Sequence, residues 1–293
     1  MPLYIRKLPS GIAMIVDEKK IPNHISLFNP SKAGPYIYIR QTEHSSSGDS
    51  SSIIIHNENT KKLSTIESPY YLLPKTVNLF RGLEDLRLCL YDNKLWFAAT
   101  CTHASESMNN QLVIGYFNEE VTKVEKLQMV DIGSVPVKNV ILFVHENKLF
   151  LLDIYLQKIY KLLEDKETLK WSIELYKMLT PAAGVSTEKY RGSSQPIHLH
   201  GSTYGCIVHD IIFNDQNKLV TRLSYLHHWY EFNIDTGFIT FISTPFWIAN
   251  WGLEYISGIH KDEHNNKIEI YLGVNDKYPF KAITTLSDLR IGK

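Results

Sequence analysis

A strand, a tight turn and a second strand recur five times along the 293 residues, and no other feature limits the possible folds as strongly. The copies read FNPSKAGPYIYIRQ from Phe28, EDLRLCLYDNKLWFAATC from Glu84, VKNVILFVHENKLFLLDI from Val137, GSSQPIHLHGSTYGCIVHD from Gly192 and GLEYISGIHKDEHNNKIEIYLGVND from Gly252. Their starts lie roughly 55 residues apart, the length scale of a four-stranded propeller blade rather than of a solenoid unit. Turns such as Tyr91-Asp92-Asn93-Lys94 and His145-Glu146-Asn147-Lys148 put Asn and Asp where a hairpin needs the left-handed conformation. Apolar runs that follow, such as Gln111 to Phe117 and Trp229 to Ile234, supply the outer strands. The pattern predicts an all-β protein, a five-bladed β-propeller in a single domain over residues 1–293. Ring closure is expected from the segment around Leu3 to Val16 pairing beside Lys281 to Leu289.

Composition narrows the function classes. Hydrophobic residues make up 44%, enough for a sizeable core. Lys plus Arg and Asp plus Glu stand at 31 each, so no net field gathers nucleic acid or an anionic membrane. No apolar run reaches membrane-spanning length. Pro9, Ser10 and Gly11 break any signal-type apolar stretch, and three cysteines without a CxxC pair suit a reducing compartment, so a cytoplasmic protein is expected. Two polar excursions, HSSSGDSSS from His44 to Ser52 and the segment Leu179 to Lys189, are expected as loops free to lie over the ring's axis.

The innermost strand of every blade lines the axis, so residues at the starts of the repeats converge although far apart in sequence. The converging set is Asn29 and Ser31, then Glu84, Asp85 and Arg87, then Lys138 and Asn139, then Ser193, Ser194, Gln195 and His209, and finally Glu254 and Asp276. Carboxylates, amides, hydroxyls and bases in one cleft match the needs of a polyhydroxylated substrate. A carboxylate accepts hydrogen bonds from vicinal hydroxyls, and a carboxyl can act as general acid toward a glycosidic oxygen. Trp251, beside Glu254, is placed to stack on the apolar face of a sugar.

An ordered set of motifs then resembles the β-mannoside phosphorylases and related five-bladed-propeller glycosidases and mannosyltransferases. RGLEDLR (Arg81 to Arg87) resembles their EDPR signature, and FNPS with YIR (Phe28 to Arg40) resembles their Asn-Pro-small motif with a downstream Arg. KNVILFVHENKLFLL, GSSQPI with YGCIVH, WGLEYISG and YLGVNDKYPFKAITTLSDL follow in matching order, so the similarity runs over about residues 25 to 290. The resemblance implies an inverting enzyme in which Asp85 is the general acid. Asn29, Ser31, Arg40 and Asp276 would then hold the glycone, with Glu84, Arg87, Ser194, Trp251 and Glu254 as further substrate-binding candidates. Lys138 and His209 would bind phosphate or the acceptor. The implied partners are a sugar or oligosaccharide, with phosphate or a sugar phosphate as possible co-substrates, and the first glycone to consider is mannose or a similar hexose.

Two departures bear on the chemistry. Leu86 stands where the signature has Pro. The third repeat runs on to LLDIY where the family has an Arg for phosphate, and a dianion beside Asp153 would be poorly stabilised, which favours hydrolysis or transfer over phosphorolysis. These departures also motivate an alternative, a non-catalytic propeller that binds glycan or protein. A metal site is not expected, since His198 and His200 two apart and the His227-His228 pair lack a third ligand. Neither a nucleophile elbow nor a glycine-rich phosphate loop occurs, and no cofactor is expected.

Overall fold

The computed structural model describes residues 5–8, 11–17, 21–45, 48–66, 69, 72, 83–101, 110–133, 138–181, 190–212, 224–249, 253–262 and 265–291. Its strands form four four-stranded antiparallel sheets and one eight-stranded sheet. The first sheet runs Ile25–Ala33, Tyr36–Ser45, Gly48–Asn57, Leu63–Ile66, and the second Leu83–Tyr91, Lys94–Cys101, Gln111–Phe117, Val124–Val130. The third runs Ile141–His145, Lys148–Asp153, Lys158–Glu164, Trp171–Met178. In the fourth, the short strands Arg191–Gly192 and Ile197–His200 both pair with Thr203–Ile212, followed outward by Ser224–Asn233 and Phe238–Ile242. The fifth runs Glu254–Lys261, Lys267–Val274, Tyr278–Thr285 and, last, Gly11–Met14. Each of the five repeats therefore opens a sheet.

Neighbouring innermost strands touch in circular order. Ile25–Ala33 meets Leu83–Tyr91, which meets Ile141–His145; Arg191–Gly192 lies against Lys148–Asp153, and Glu254–Lys261 meets both the fourth sheet and Ile25–Ala33. A closed ring of radially arranged sheets is a β-propeller. Closure uses the expected partners: Gly11 pairs with Ile283 and Met14 with Phe280. The preceding Arg6–Lys7 pairs in parallel with Phe246–Trp247 of the fourth sheet, so this stretch of chain ties two sheets together. Arg6 donates from Nη2 to the Leu289 carbonyl at 3.1 Å, adding a side-chain tie.

The alternation of side chains along each strand places apolar residues on both faces of every sheet, and the core lies between sheets. Phe97, Val113 and Phe117 pack against Tyr38 and Ile53 between the first two sheets, while Trp229 and Phe246 pack against Ile256 and Ile270 between the fourth and fifth. Hairpin chemistry agrees with the sequence: Asp92 and Asn93 have φ of 49° and 57°, and Glu146 and Asn147 have 46° and 55°, the geometry of a two-residue turn that matches strand twist.

One expectation needs correction. The serine-rich stretch from His44 to Ser52 continues a hairpin, with His44 paired to Asp49 and Thr42 to Ser51. The ladder is made by backbone groups, which serine supplies as well as valine does. For the other expected loop, residues 182–189 lie outside the described residues, and Thr180–Pro181 pairs with Phe238–Ile239. No helix among the described residues is long and apolar enough to cross a membrane.

Candidate functional site

The innermost strands share one irregularity. In the first sheet the register shifts between Phe28 and Ser31, and in the second between Glu84 and Arg87. Each shift is a β-bulge in which one residue turns into the left-handed region: Asn29 at φ 50° and Asp85 at φ 56°. In the fourth sheet the amides of Ser193 and Ser194 both donate to the Ile207 carbonyl, at 3.3 and 3.2 Å, again two residues facing one. Asn139, Asn275 and Asp276 also have positive φ. Asn and Asp tolerate this conformation best among residues with a Cβ, and the bulge re-aims their polar side chains toward the axis. Asn29 precedes Pro30 and Asp85 precedes Leu86, yet both adopt the same bulge, so the proline of the signature is not what sets Asp85's backbone.

The re-aimed groups surround an axial cavity of about 750 Å³, lined by residues of the first, second, fourth and fifth sheets, by Lys138 and Asn139 just ahead of the third, and by the loop at Asn275 to Lys277. Asn29 Nδ2 donates to Asp85 Oδ1 at 2.7 Å, and Arg40 Nη1 stands 3.6 Å from the same oxygen. Arg40 Nη2 donates to Glu84 Oε1 at 2.9 Å, and its guanidinium lies 4.9 Å from the centre of the Phe28 ring. Beneath Asp85, Arg87 donates from Nη1 to the Asp85 carbonyl at 2.8 Å and from Nε to the Ser193 carbonyl at 2.6 Å. Tyr255 donates to Asn139 Oδ1 at 2.6 Å and receives Arg87 Nη2, so second, third, fourth and fifth sheets are tied at the axis.

Electrostatics split the cavity. Burial opposes ionisation of Asp85, but Arg40, then Arg87, the Asn29 hydrogen bond and Lys138 outweigh it and hold the carboxyl below its ordinary range. Across the ring, burial, with smaller contributions from His227, Arg191 and Arg87, drives His209 well below the usual imidazole value, so its ring is neutral. A hydrogen bond joins His209 Nδ1 to Ser193 Oγ at 2.7 Å. Tyr225 and Tyr255 stand edge-on to that ring at 5.0 and 5.3 Å between centroids, making an aromatic wall. Burial first, then Asp276 and Asp85, push the Tyr225 hydroxyl upward.

Set against known structures, the chain superposes on a mannose phosphorylase from Leishmania mexicana solved with a phosphate ion, with a TM-score of 0.57, 12% identity, and coverage of 90% of this chain and 85% of that one. A β-1,2-mannobiose phosphorylase from Listeria innocua, solved with β-1,2-mannobiose, gives 0.57 at 14% identity over 94% and 95%. A GDP-Man-dependent mannosyltransferase from Leishmania mexicana gives 0.60 at 13% identity over 94% and 89%. The shared fold is theirs. These are the kinds of protein that the ordered motifs resemble. No protein-family model and no curated protein sequence matches the chain.

Within this propeller, eight of the residues expected from sequence line the axial cavity: Asn29, Arg40, Glu84, Asp85, Lys138, Asn139, His209 and Asp276. Six others stand behind its wall, and for them a direct substrate contact is corrected; Ser193 is hydrogen-bonded to His209, and Gln195 donates to the Lys32 and Ile259 carbonyls at 2.6 and 2.7 Å. Ser31 is fully buried and donates to the Leu86 carbonyl at 2.8 Å, which braces the Asp85 bulge. Arg87 is spent on backbone and Tyr255, and Ser194 Oγ accepts the Ile207 amide at 2.9 Å. Glu254 accepts the Ile248 and Ala249 amides at 2.7 and 2.8 Å. Ser31 and Arg87 follow a bulge and Glu254 precedes the cavity-lining Tyr255, so alternation along their strands turns these side chains away from the axis. Trp251 lies outside the described residues.

Asp153 also moves. It is buried away from the cavity and accepts the Leu156 amide at 3.0 Å, capping a turn, so the carboxylate expected to repel phosphate is not in the lining. Arg191, Tyr225, Tyr255, Ser51 and Lys277 line the cavity although the sequence reading did not select them. Arg191 had a signal: it immediately precedes GSSQPI and pairs in register with His209. Tyr225 follows a segment without any motif. Among the described residues, no group of three or more His, Cys, Asp or Glu is arranged to hold a metal.

Proposed function

We propose that the chain is a carbohydrate-active enzyme that forms or cleaves a glycosidic bond with inversion in the axial cavity, with Asp85 as the proton-handling carboxylate. The carrying observation is Asp85 itself, turned to the axis by a bulge and gripped by Asn29 and Arg40. In this reading the ring counts five blades in one domain over residues 1–293, the eight-stranded sheet being the fourth blade extended by short flanking strands. Three free, buried cysteines support a cytoplasmic setting.

The electrostatics favour one direction. A group that protonates a departing sugar oxygen in cleavage must, by microscopic reversibility, remove the proton from the acceptor hydroxyl in synthesis. Asp85 rests as a carboxylate, so it is ready to take that proton. The departing group then has to leave as an anion without help from an acid, which phosphate or a nucleotide can do and an alkoxide cannot. Lys138 and Arg191 supply positive charge in the lining, while neutral His209 offers a hydrogen bond but no charge. With Asp153 out of the cavity, the sequence-level objection to phosphate falls away, and transfer from a phosphate-bearing donor stands ahead of hydrolysis. Mannosides are the first substrates to test, because the structural neighbours are named for mannose chemistry.

The test incubates the protein with mannose 1-phosphate or GDP-mannose and a panel of sugar acceptors, and with β-mannobiose plus phosphate in the reverse direction. Product is expected in at least one arm, with kcat of Asp85→Asn lowered by about 10³-fold or more and KM changed only a few-fold. Undiminished turnover by Asp85→Asn removes its assigned role. Sugar-dependent thermal stabilisation without product in any arm makes the chain a binder instead.

A further inference from the structure

A second cavity sits between the second and third sheets, at the ends of their strands away from the axis. Strand Leu83–Tyr91 begins at Glu84 in the axial cavity and ends at Tyr91 in this cleft, about 23 Å on at the rise of an extended strand. The cleft holds about 280 Å³. Its walls include the rings of Trp96, Tyr116 and Trp171, with Trp96 centred 4.9 Å from Tyr116 and 5.1 Å from Trp171. Trp96 is 8% exposed, and its indole N–H has no hydrogen-bond partner among the described residues.

The polar groups around the rings are of both kinds, and Glu164 Oε1 already accepts from Lys126 and from the Trp171 indole at 2.9 and 3.1 Å, which leaves its other oxygen for a ligand. Lys94 and Lys148 bring donors, and Asp92 and Glu164 bring acceptors. A cation is poorly suited, because the Lys94 ammonium already lies 4.3 Å from the centre of Tyr116 and that of Lys126 3.9 Å from Trp171. An anion meets the carboxylates of Asp92 and Glu164. A neutral ring that carries hydroxyls on its edge and C–H groups on its face satisfies both sets, and a single hexose fits the volume.

We propose that this cleft is a second sugar-binding site, holding one neutral hexose unit of a glycan independently of the chemistry at the axis. Its small size sets an affinity on the order of a millimolar. The experiment follows intrinsic tryptophan fluorescence in Asp85→Asn protein, since Trp96 and Trp171 line the cleft, while adding methyl mannopyranoside, methyl glucopyranoside, tetramethylammonium or inorganic phosphate. A saturable change with at least one glycoside is expected, weakened roughly tenfold or more by Tyr116→Ala and by the milder Glu164→Gln, each checked for unchanged circular dichroism. The proposal is overturned by a response to tetramethylammonium or phosphate alone, by a glycoside response that survives both substitutions, or by no response at all. Turnover at the axis is scored separately, so failure of either site leaves the other's outcome readable.

Discussion

On the side of the first and second sheets the axial cavity is walled by Asn29, Arg40, Glu84 and Asp85, whereas the fourth and fifth sheets present His209, Tyr225 and Tyr255. The first wall is charged and internally paired; the second is largely aromatic, with an imidazole held neutral by burial beside Arg191. A sugar has the same division, with hydroxyl edges and C–H faces, so two walls of unlike polarity can fix its orientation before any bond changes. The cost of each wall differs. Ion pairing at partly buried Arg40 keeps Asp85 ionised, while burial keeps the imidazoles of His209 and His227 neutral at a cost that grows as the pH falls.

Breaking the charged wall should have the largest effect. Arg40→Ala removes the partner of Glu84 and Asp85 together and is expected to lower kcat/KM by about 10³-fold, on the scale of losing one oriented charge at a reacting centre. The acid limb of the pH–rate profile should also move to higher pH, because burial then acts on Asp85 with less opposition. An unmoved limb would show that Arg40 only packs on Phe28.

The neutral wall should yield to acid. His227, fully buried behind it, is held to about 3 by burial, and His209 is held low as well. Both are neutral when folded but protonate when unfolded, so their stabilisation is complete above about pH 6.5 and is lost as the pH falls below it. Between pH 7 and 5 each should cost about 2 kcal/mol of unfolding free energy. Asp85, whose folded value is depressed instead, adds its own loss only below the ordinary carboxylate value, near pH 4. Denaturant melts at pH 7 and 5 read the histidines, and melts at pH 3 of the native protein against Asp85→Asn read the carboxylate.

A finer probe is Gly273, in the fifth sheet. A Cβ there would meet Asn29 Oδ1 at 2.7 Å and the Asn29 amide at 2.9 Å. Gly273→Ala should therefore displace Asn29 from Asp85 and lower kcat about tenfold with a melting shift of a few degrees, whereas a change in stability alone would mean that Asn29 is not a positioning residue. The smallest effect is expected at Tyr225. Its replacement by Ala should raise KM about three- to tenfold, with Phe close to the native value, if the ring face and not the hydroxyl meets the sugar. Equal losses in both variants would transfer the role to the hydroxyl.

The ring was legible because its signal is periodic: five hairpins, each with Asn, Asp or Gly at the turn, need no long-range information to be recognised. Asp85 and Asn29 were legible for the same reason, since equal positions in successive repeats meet at the axis, whereas Asp276, at the far end of the fifth repeat, was legible through the motif it ends. Which neighbours face the axis was not. A bulge shifts alternation by one residue, so Arg87 and Ser31, two residues beyond Asp85 and Asn29, turn inward to brace the turn rather than outward to ligand. Arg191 and Tyr225 enter through pairing partners distant in sequence, and Ser51 through a ladder that hydrophobicity patterns do not mark. Asp153 was misplaced because a turn cap and a ligand look alike in a string of letters.

The strand at Gly11–Met14 is the outermost of the fifth sheet, edge to edge with Tyr278–Thr285. It has no seat until more than 260 residues beyond it have been synthesised. The circle can shut only after translation has reached that point, by closing a loop nearly as long as the molecule, so the final folding step should be slow and the half-closed ring should be the species most exposed to proteases and aggregation.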